Sequence, residues 1–382
     1  MYRLAIKMLM GDRLKYFGLL AGMSFAAMMI AQQASIFVGL ISQTGTFIRG
    51  LPYVDLWVMD EQVRFSEDQQ PLPDTALPRV RGIEGVEWAS PMFKGWLPAR
   101  LPDGTRLNAI VVGIDDATLI GGPLAMHEGT LEDLRRDDAI LIHYKEAGTK
   151  LKLEKAGGRT LRIGDRISLN DHDAFVAATF DSDPSFFWDP VIYTTYSRAV
   201  QFSPPQRNLM HYVLVKLKPG ADLEEVRAHI ERATPYKALT QDEFIALTRD
   251  FIAEKTGILI NFGIAIGLGF FVGMLVTGQT FFNFTLDNLR YFAAIKAMGA
   301  SSWMLIRMVM LQVLVAATLS LGIGLGIAAL MGQQLKETDL AFLMPWQVPA
   351  LTAASLLFIS LLAGGLSLIK VLRLEPGVVF KG

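Results

Sequence analysis

The sequence predicts a membrane protein with four transmembrane α-helices, one plus three, and a large α/β extracytoplasmic domain inserted between helices one and two. Two observations carry this fold class. First, four stretches contain no Asp, Glu, Lys or Arg: residues 16–48, 256–286, 308–335 and 341–369. A helix needs roughly 20 consecutive apolar residues to cross a bilayer core, and each stretch exceeds that. Second, the net charge of −1 hides a split. Residues 43–255 hold 25 Lys+Arg against 32 Asp+Glu, and the remainder holds 11 against 5. The membrane part is therefore basic and the inserted part acidic, which argues against a nucleic-acid surface.

The elements follow in order. Residues 1–15 alternate apolar and basic side chains (Leu4, Ile6, Met8 and Leu9 with Arg3, Lys7 and Arg13) and suit a short helix on the cytoplasmic membrane face. Residues 16–42 form the first span. Its basic start resembles a signal peptide, but a signal core is roughly 7–15 residues, so this segment reads as an uncleaved helix. Positive flanks set the orientation. With the N-terminus inside, the inner flanks carry Arg3, Lys7, Arg13, Lys15, Arg290, Lys296, Arg307, Lys370, Arg373 and Lys381, and the short outer loop carries only Lys336. Both termini are then cytoplasmic, in an inner (plasma) membrane.

The inserted region, 43–255, alternates strand and helix signals. Expected strands are 55–59, 108–114, 139–143, 160–169, 175–180 and 211–217, and a short helix covers 77–83. Asp222 caps a helix to about Ala233, with Glu225 completing a capping box. Asp242 caps a further helix that runs without a breaker into span two, residues 257–284, as a stalk carrying the domain. A cytoplasmic loop covers 285–307, span three 308–331, an outer loop 332–349, span four 350–371 and a cytoplasmic tail 372–382.

Several chemistries drop out. There is no cysteine, so disulfides, thiolate metal sites and cysteine nucleophiles are excluded. The five histidines are scattered, and Asp171-His172-Asp173 lies between two strands, where a solvated hairpin turn is the better reading. No catalytic carboxylate frame, no metal site, no cofactor motif and no G-x-x-x-x-G-K-[ST] loop is present. The chain is therefore expected to be no enzyme and to bind no nucleotide through such a loop. The spans hold no interior ionisable residue, which counts against ion-coupled transport. The aromatic run 185–188 reads as core at a domain edge, with a contact surface as the alternative.

Two patterns remain. Glycines four apart, Gly18–Gly22, Gly263–Gly267, Gly269–Gly273 and Gly322–Gly326, allow close helix approach within or between chains. In the cytoplasmic loop, Arg290, Tyr291, Phe292, Ala293, Ile295, Lys296, Ala297, Met298, Gly299 and Ala300 read as a short amphipathic helix closed by a glycine. The plain alternative is an interfacial helix that only links two spans.

This loop resembles that of FtsX-like, MacB-type ABC transporter permeases, whose pattern is roughly R-E-[FI]-A-x-[LI]-[KR]-A-[LIM]-G-A. Tyr291 stands where the family often has Glu. Asp55-Leu56-Trp57-Val58-Met59 is similar to the family's early outer-domain strand, Val112-Gly113-Ile114-Asp115 to its V-x-G-I-D, and Leu161-Arg162-Ile163-Gly164-Asp165 to its L-x-I-G-D. Leu374-Glu375-Pro376 resembles the family's C-terminal end, and the first helix region and the Phe380-Lys381-Gly382 ending are closest to the DevC-type branch. The resemblance implies a homodimeric permease with separate ABC ATPase subunits docked on the loop. It implies transmission of ATP-driven change to the outer domain, and an exporter completed by a periplasmic adaptor and an outer-membrane duct. A signalling subunit that controls an outer-face hydrolase, or a lipoprotein-releasing permease, fits the same layout.

Overall fold

The structure, a computed structural model, describes residues 2–204, 210–335 and 340–372, the last four as helix path alone. Lys336 and the tail beyond 372 lie outside the described residues, as does the Lys370 side chain. The chain divides into two units, Met1–Leu40 with Gly257–Gly382, and Ile41–Thr256.

Helix α1 (Tyr2–Gly11) buries Ala5 and Leu9 and leaves Tyr2, Leu4 and Met10 exposed. It ends before Asp12 rather than at residue 15. Helix α2 (Arg13–Gln43) follows at once and carries the first charge-free run.

The inserted unit begins with α3 (Thr46–Arg49) and β1 (Leu56–Asp60). Then come α4 (Ala76–Arg81), β2 (Val86–Arg100), β3 (Arg106–Ile114), β4 (Ala125–Glu128) and β5 (Ala139–His143). They are followed by α5 (Tyr144–Ala147), β6 (Arg166–Leu169), β7 (His172–Asp181), β8 (Val191–Thr195) and α6 (Tyr196–Phe202). The unit closes with β9 (Tyr212–Leu217), α7 (Leu223–Ala233), β10 (Tyr236–Leu239) and α8 (Gln241–Lys255). The sheet order is β10-β1-β9-β2-β3-β8-β5-β7-β4, with β6 pairing β2 and β7.

Strands β2, β4, β8 and β10 were not among the expected ones, and β2 is the longest of them. Pro91 and Pro98 lie inside it, and proline is rare in a central strand because it cannot donate to the ladder. Both nevertheless sit in register, Pro91 opposite Val213 and Pro98 opposite Asn108, and the strand changes partners between them. Val86 to Met92 pair with β9, and Phe93 to Arg100 pair with β3. One long strand thus joins two sheet halves, each with its own core: Leu56, Val58, Val213 and Ile230 on one, Val111, Ile142, Val176 and Phe202 on the other. A third cluster centres on Trp57, which meets Tyr212 edge-on at 5.7 Å and Phe244 at 5.5 Å.

The hairpin between β6 and β7 turns at Asn170 and Asp171, both left-handed (φ 49° and 65°), as short polar side chains tolerate. His172 and Asp173 are exposed in β7, paired with Leu169 and Ser168. The expected strand from 160 is shorter, because Gly164 (φ 97°) holds a turn before Arg166. Asp222 caps α7 by accepting from the backbone N–H of Glu224 and Glu225, but Glu225 does not return a bond to the Asp222 N–H, so the expected box is half made. The cap of α8 is Thr240, not Asp242: Thr240 and Glu243 bond each other's backbone N–H in a reciprocal box. The first and last helices of the unit meet, since Gln241 Nε2 donates to Ile48 O at 2.8 Å.

The expected unbroken stalk is not present. Helix α8 ends at Lys255, and Gly257 takes a left-handed conformation (φ 71°) before α9 (Ile258–Asp287) begins. Glycine carries no Cβ to oppose that φ, so the chain turns where a continuous helix was expected. Then come α10 (Leu289–Ala297), α11 (Ser302–Leu335) and α12 (Gln347–Leu372). Helix α11 starts at Ser302 rather than at Met308, which shortens the preceding loop and places Arg307 inside the helix. Helices α2, α9, α11 and α12 are long and apolar enough to cross a membrane.

Leu19, Met23, Phe281, Phe292 of α10, Leu305, Met308 and Val313 share one core in this unit. Gln312, charge-free but polar, is buried in α11 and donates to Ala5 O at 2.8 Å, which fixes α1 on α11.

Candidate functional site

The α10 segment divides its residues by face. Phe292, Ala293 and Ile295 are buried in the helical core. Arg290, Tyr291, Ala297, Met298 and Gly299 are exposed, and Lys296 and Ala300 are half-buried. Tyr291 is 63% exposed and Met298 75%, high for large apolar side chains at a helix surface. The sequence-predicted set therefore mixes anchors with presented residues. The 3.6-residue period explains why: positions 292, 293 and 295 fall on one side and 290, 291, 297 and 298 on the other.

The helix is closed as its sequence suggests. Gly299 is left-handed (φ 94°), and the Ala300 N–H reaches back to Ile295 O at 3.2 Å. Beside it lies a groove of about 600 Å³, lined by Tyr291 and Met298, by Leu4, Lys7 and Met8 of α1, and by Asp287 at the end of α9. Lys15 bridges Asp287 at 2.5 Å and Asp12 at 3.3 Å, all about half-exposed, so the pairs position more than they stabilise. The part played by α1 was not legible in the loop motif, although its basic and apolar alternation was visible.

The glycine repeats separate in the same way. A Cβ at Gly22 would run into Val276, one at Gly273 into Ala26, and one at Gly269 would come within 3.3 Å of Met29 Cβ. These three let α2 and α9 pack closely. Gly324, outside the predicted repeats, does the same for α11: its Cβ would lie 2.6 Å from Ala27 Cβ and from Ser24 O. A Cβ at Gly18, Gly263, Gly267, Gly322 or Gly326 would meet nothing within 4 Å. Those five face away from the described chain.

In the inserted unit the aromatic run splits. Phe187 packs on Phe65 at 6.1 Å and Trp96 at 5.6 Å, whereas Trp188 is 61% exposed. His143 is buried, 3.4 Å from Asp181 and 3.8 Å from Glu146. Burial outweighs both carboxylates and holds its imidazole below the ordinary histidine range.

Two family models match the chain. The MacB-like periplasmic core domain covers residues 17–233, and the FtsX-like permease C-terminal model covers 263–376. No curated protein matches. Among solved structures, the extracellular domain of the noncanonic ABC-type transporter YknZ from Gram-positive bacteria is 14% identical, covering 49% of this chain and 99% of its own, with a TM-score of 0.35. The periplasmic region of MacB from Actinobacillus actinomycetemcomitans is 13% identical, covering 55% and 97%, with a TM-score of 0.38. A domain of a putative permease protein from Porphyromonas gingivalis is 16% identical, covering 48% and 86%, with a TM-score of 0.31. With one model spanning more than half of the chain and the other spanning its last three membrane helices, this chain belongs to the FtsX-like, MacB-type family of ABC transporter permeases.

Proposed function

We propose that the chain is the membrane subunit of an ATP-driven exporter and that a separate ABC ATPase subunit docks on the exposed face of α10. The observation that carries this is the division of α10: Phe292, Ala293 and Ile295 anchor it in the helical core, while Tyr291 and Met298 stand out beside the groove. A helix held from behind that presents Arg290, Tyr291 and Met298 in front can receive a push and pass it on. In this reading, which the basic flanks support, α10 and both termini lie on the cytoplasmic side of the inner membrane, where ATP is available. Two copies pair through the glycines that face away from the described chain, and lipid covers the rest. Nucleotide-driven closure biases two states of the membrane helices, and the outer domain follows. A periplasmic adaptor and an outer-membrane duct, as in the DevC-type branch, complete the exporter.

The test is substitution of the presented residues alone. Tyr291→Asp with Met298→Asp is expected to abolish copurification of the ATPase from native membranes while the protein still inserts and folds. Normal copurification together with normal cargo-stimulated ATP turnover would sink the docking assignment.

A further inference from the structure

A cavity of about 270 Å³ opens in the inserted unit next to the point where β2 changes partners. Phe47, Ile110, Leu124, Phe180 and Val191 give it an apolar wall. Its lining includes one buried charge, Lys94, whose side chain is 3% exposed. Lys94 Nζ donates to Glu67 Oε1 at 2.6 Å and lies 3.6 Å from the centroid of the Phe47 ring.

The two partners are not equally satisfied. The other carboxylate oxygen of Glu67 accepts from Ser66 Oγ at 2.5 Å. Ser66 is itself fixed, its carbonyl accepting from Tyr212 OH at 2.8 Å and its N–H donating to Thr248 Oγ1 at 3.1 Å. An ammonium has three donors, and among the described residues one oxygen takes one of them. The Phe47 face attracts the charge without replacing an acceptor. Burial outweighs Glu67 and holds the Lys94 ammonium below the usual lysine range, so its lost hydration is only partly replaced. The other charges on the lining, Arg49, Asp181 and Asp183, are more exposed, and water screens them.

We propose that this cavity binds a small amphiphile, with its carboxylate on Lys94 and a short apolar tail along Phe47, Ile110, Phe180 and Val191. Apolar walls with a single oriented donor at depth are how small-ligand sites fix their guest. Phe47 belongs to α3, which follows α2 after only Thr44 and Gly45, so a guest would touch the segment that leads into the first membrane helix. The site is built from residues of the inserted unit alone, shares none with the docking face, and its test reads binding without an ATPase.

The full chain in lipid nanodiscs is titrated with sodium octanoate and, separately, with octylamine, by calorimetry against empty nanodiscs. Saturable octanoate binding at one site per chain is expected, at least about tenfold tighter than octylamine. Leu124→Trp, at an exposed position on the mouth, is expected to weaken octanoate by about tenfold or more. Lys94→Met combined with Glu67→Gln removes the pair together and is expected to erase the preference for octanoate. Should the double variant fail to fold, the octylamine comparison and Leu124→Trp use the native floor and still decide. Octanoate uptake equal to that of empty nanodiscs, octylamine binding as tight as octanoate, or an unchanged affinity in Leu124→Trp would each overturn the proposal.

Discussion

At Gly299 a single hydrogen in place of a side chain lets α10 stop. The residue sits at φ 94°, where an L side chain is strained, at a cost of about 1–3 kcal/mol. Gly299→Val is therefore expected to loosen the end of α10 and to lower ATPase copurification, with insertion unchanged on a membrane pellet. Lys94 answers to a different rule. Removing one partner of a buried ion pair costs about 3–5 kcal/mol, so Lys94→Met alone should lower the denaturation midpoint far more than Lys94→Met with Glu67→Gln. His143 gives a pH dependence. Its folded pKa is depressed, so the unfolded chain binds the extra proton first as pH falls. The stability it contributes is present above the ordinary histidine value of about 6.5 and is lost as pH falls through the folded value. Thermal unfolding followed from pH 7.5 to 5 should show that loss, and His143→Gln should flatten it. Of these three residues only Gly299 was legible in the sequence, because a glycine at a helix end has a local meaning. Lys94 and Glu67 are 27 positions apart, and nothing local marks either as buried.

Elements were legible where they follow one period. The strand 108–114 lies within β3, and 139–143 coincides with β5, because both are apolar runs bounded by turns. β2 was hidden because its two prolines read as breakers, and its role depends on partners more than 100 residues downstream, such as Val213 and Leu214 of β9. The stalk was expected because the apolar positions Phe244, Ile245, Leu247, Phe251 and Ile252 continue toward the second span without a helix breaker among them. Gly257 overrides that pattern with backbone geometry, which side-chain periodicity does not encode. Helix packing gives a prediction at this scale. A side chain at Gly273 has nowhere to go against Ala26, so Gly273→Leu should destabilise the bundle by about 1–3 kcal/mol, read as a lower melting temperature in detergent. Gly322→Leu, on an open face, should leave the melting temperature of the monomer unchanged.

For the whole molecule, Gly322→Leu serves as the probe of pairing between copies. If the open glycines of α9 and α11 meet a second chain, Gly263→Leu with Gly322→Leu should convert dimer to monomer in light scattering, without the unfolding expected of Gly273→Leu. The four-span layout was legible at this scale because missing charge is a long-range signal that needs no partner residue. Which glycines pack was not legible, since Gly22 and Gly18 lie in the same repeat and only one has a neighbour. The contact between α3 and α8 carries a last consequence. Gln241 holds the Ile48 carbonyl, so the segment by which the chain enters the inserted unit is tied to the helix by which it leaves. The unit closes on itself and asks of its host only two neighbouring ends. It has the anatomy of a cassette: a graft of 41–256 could be exchanged between permeases without rewriting either sequence, so the inserted unit and the membrane helices are free to diversify separately.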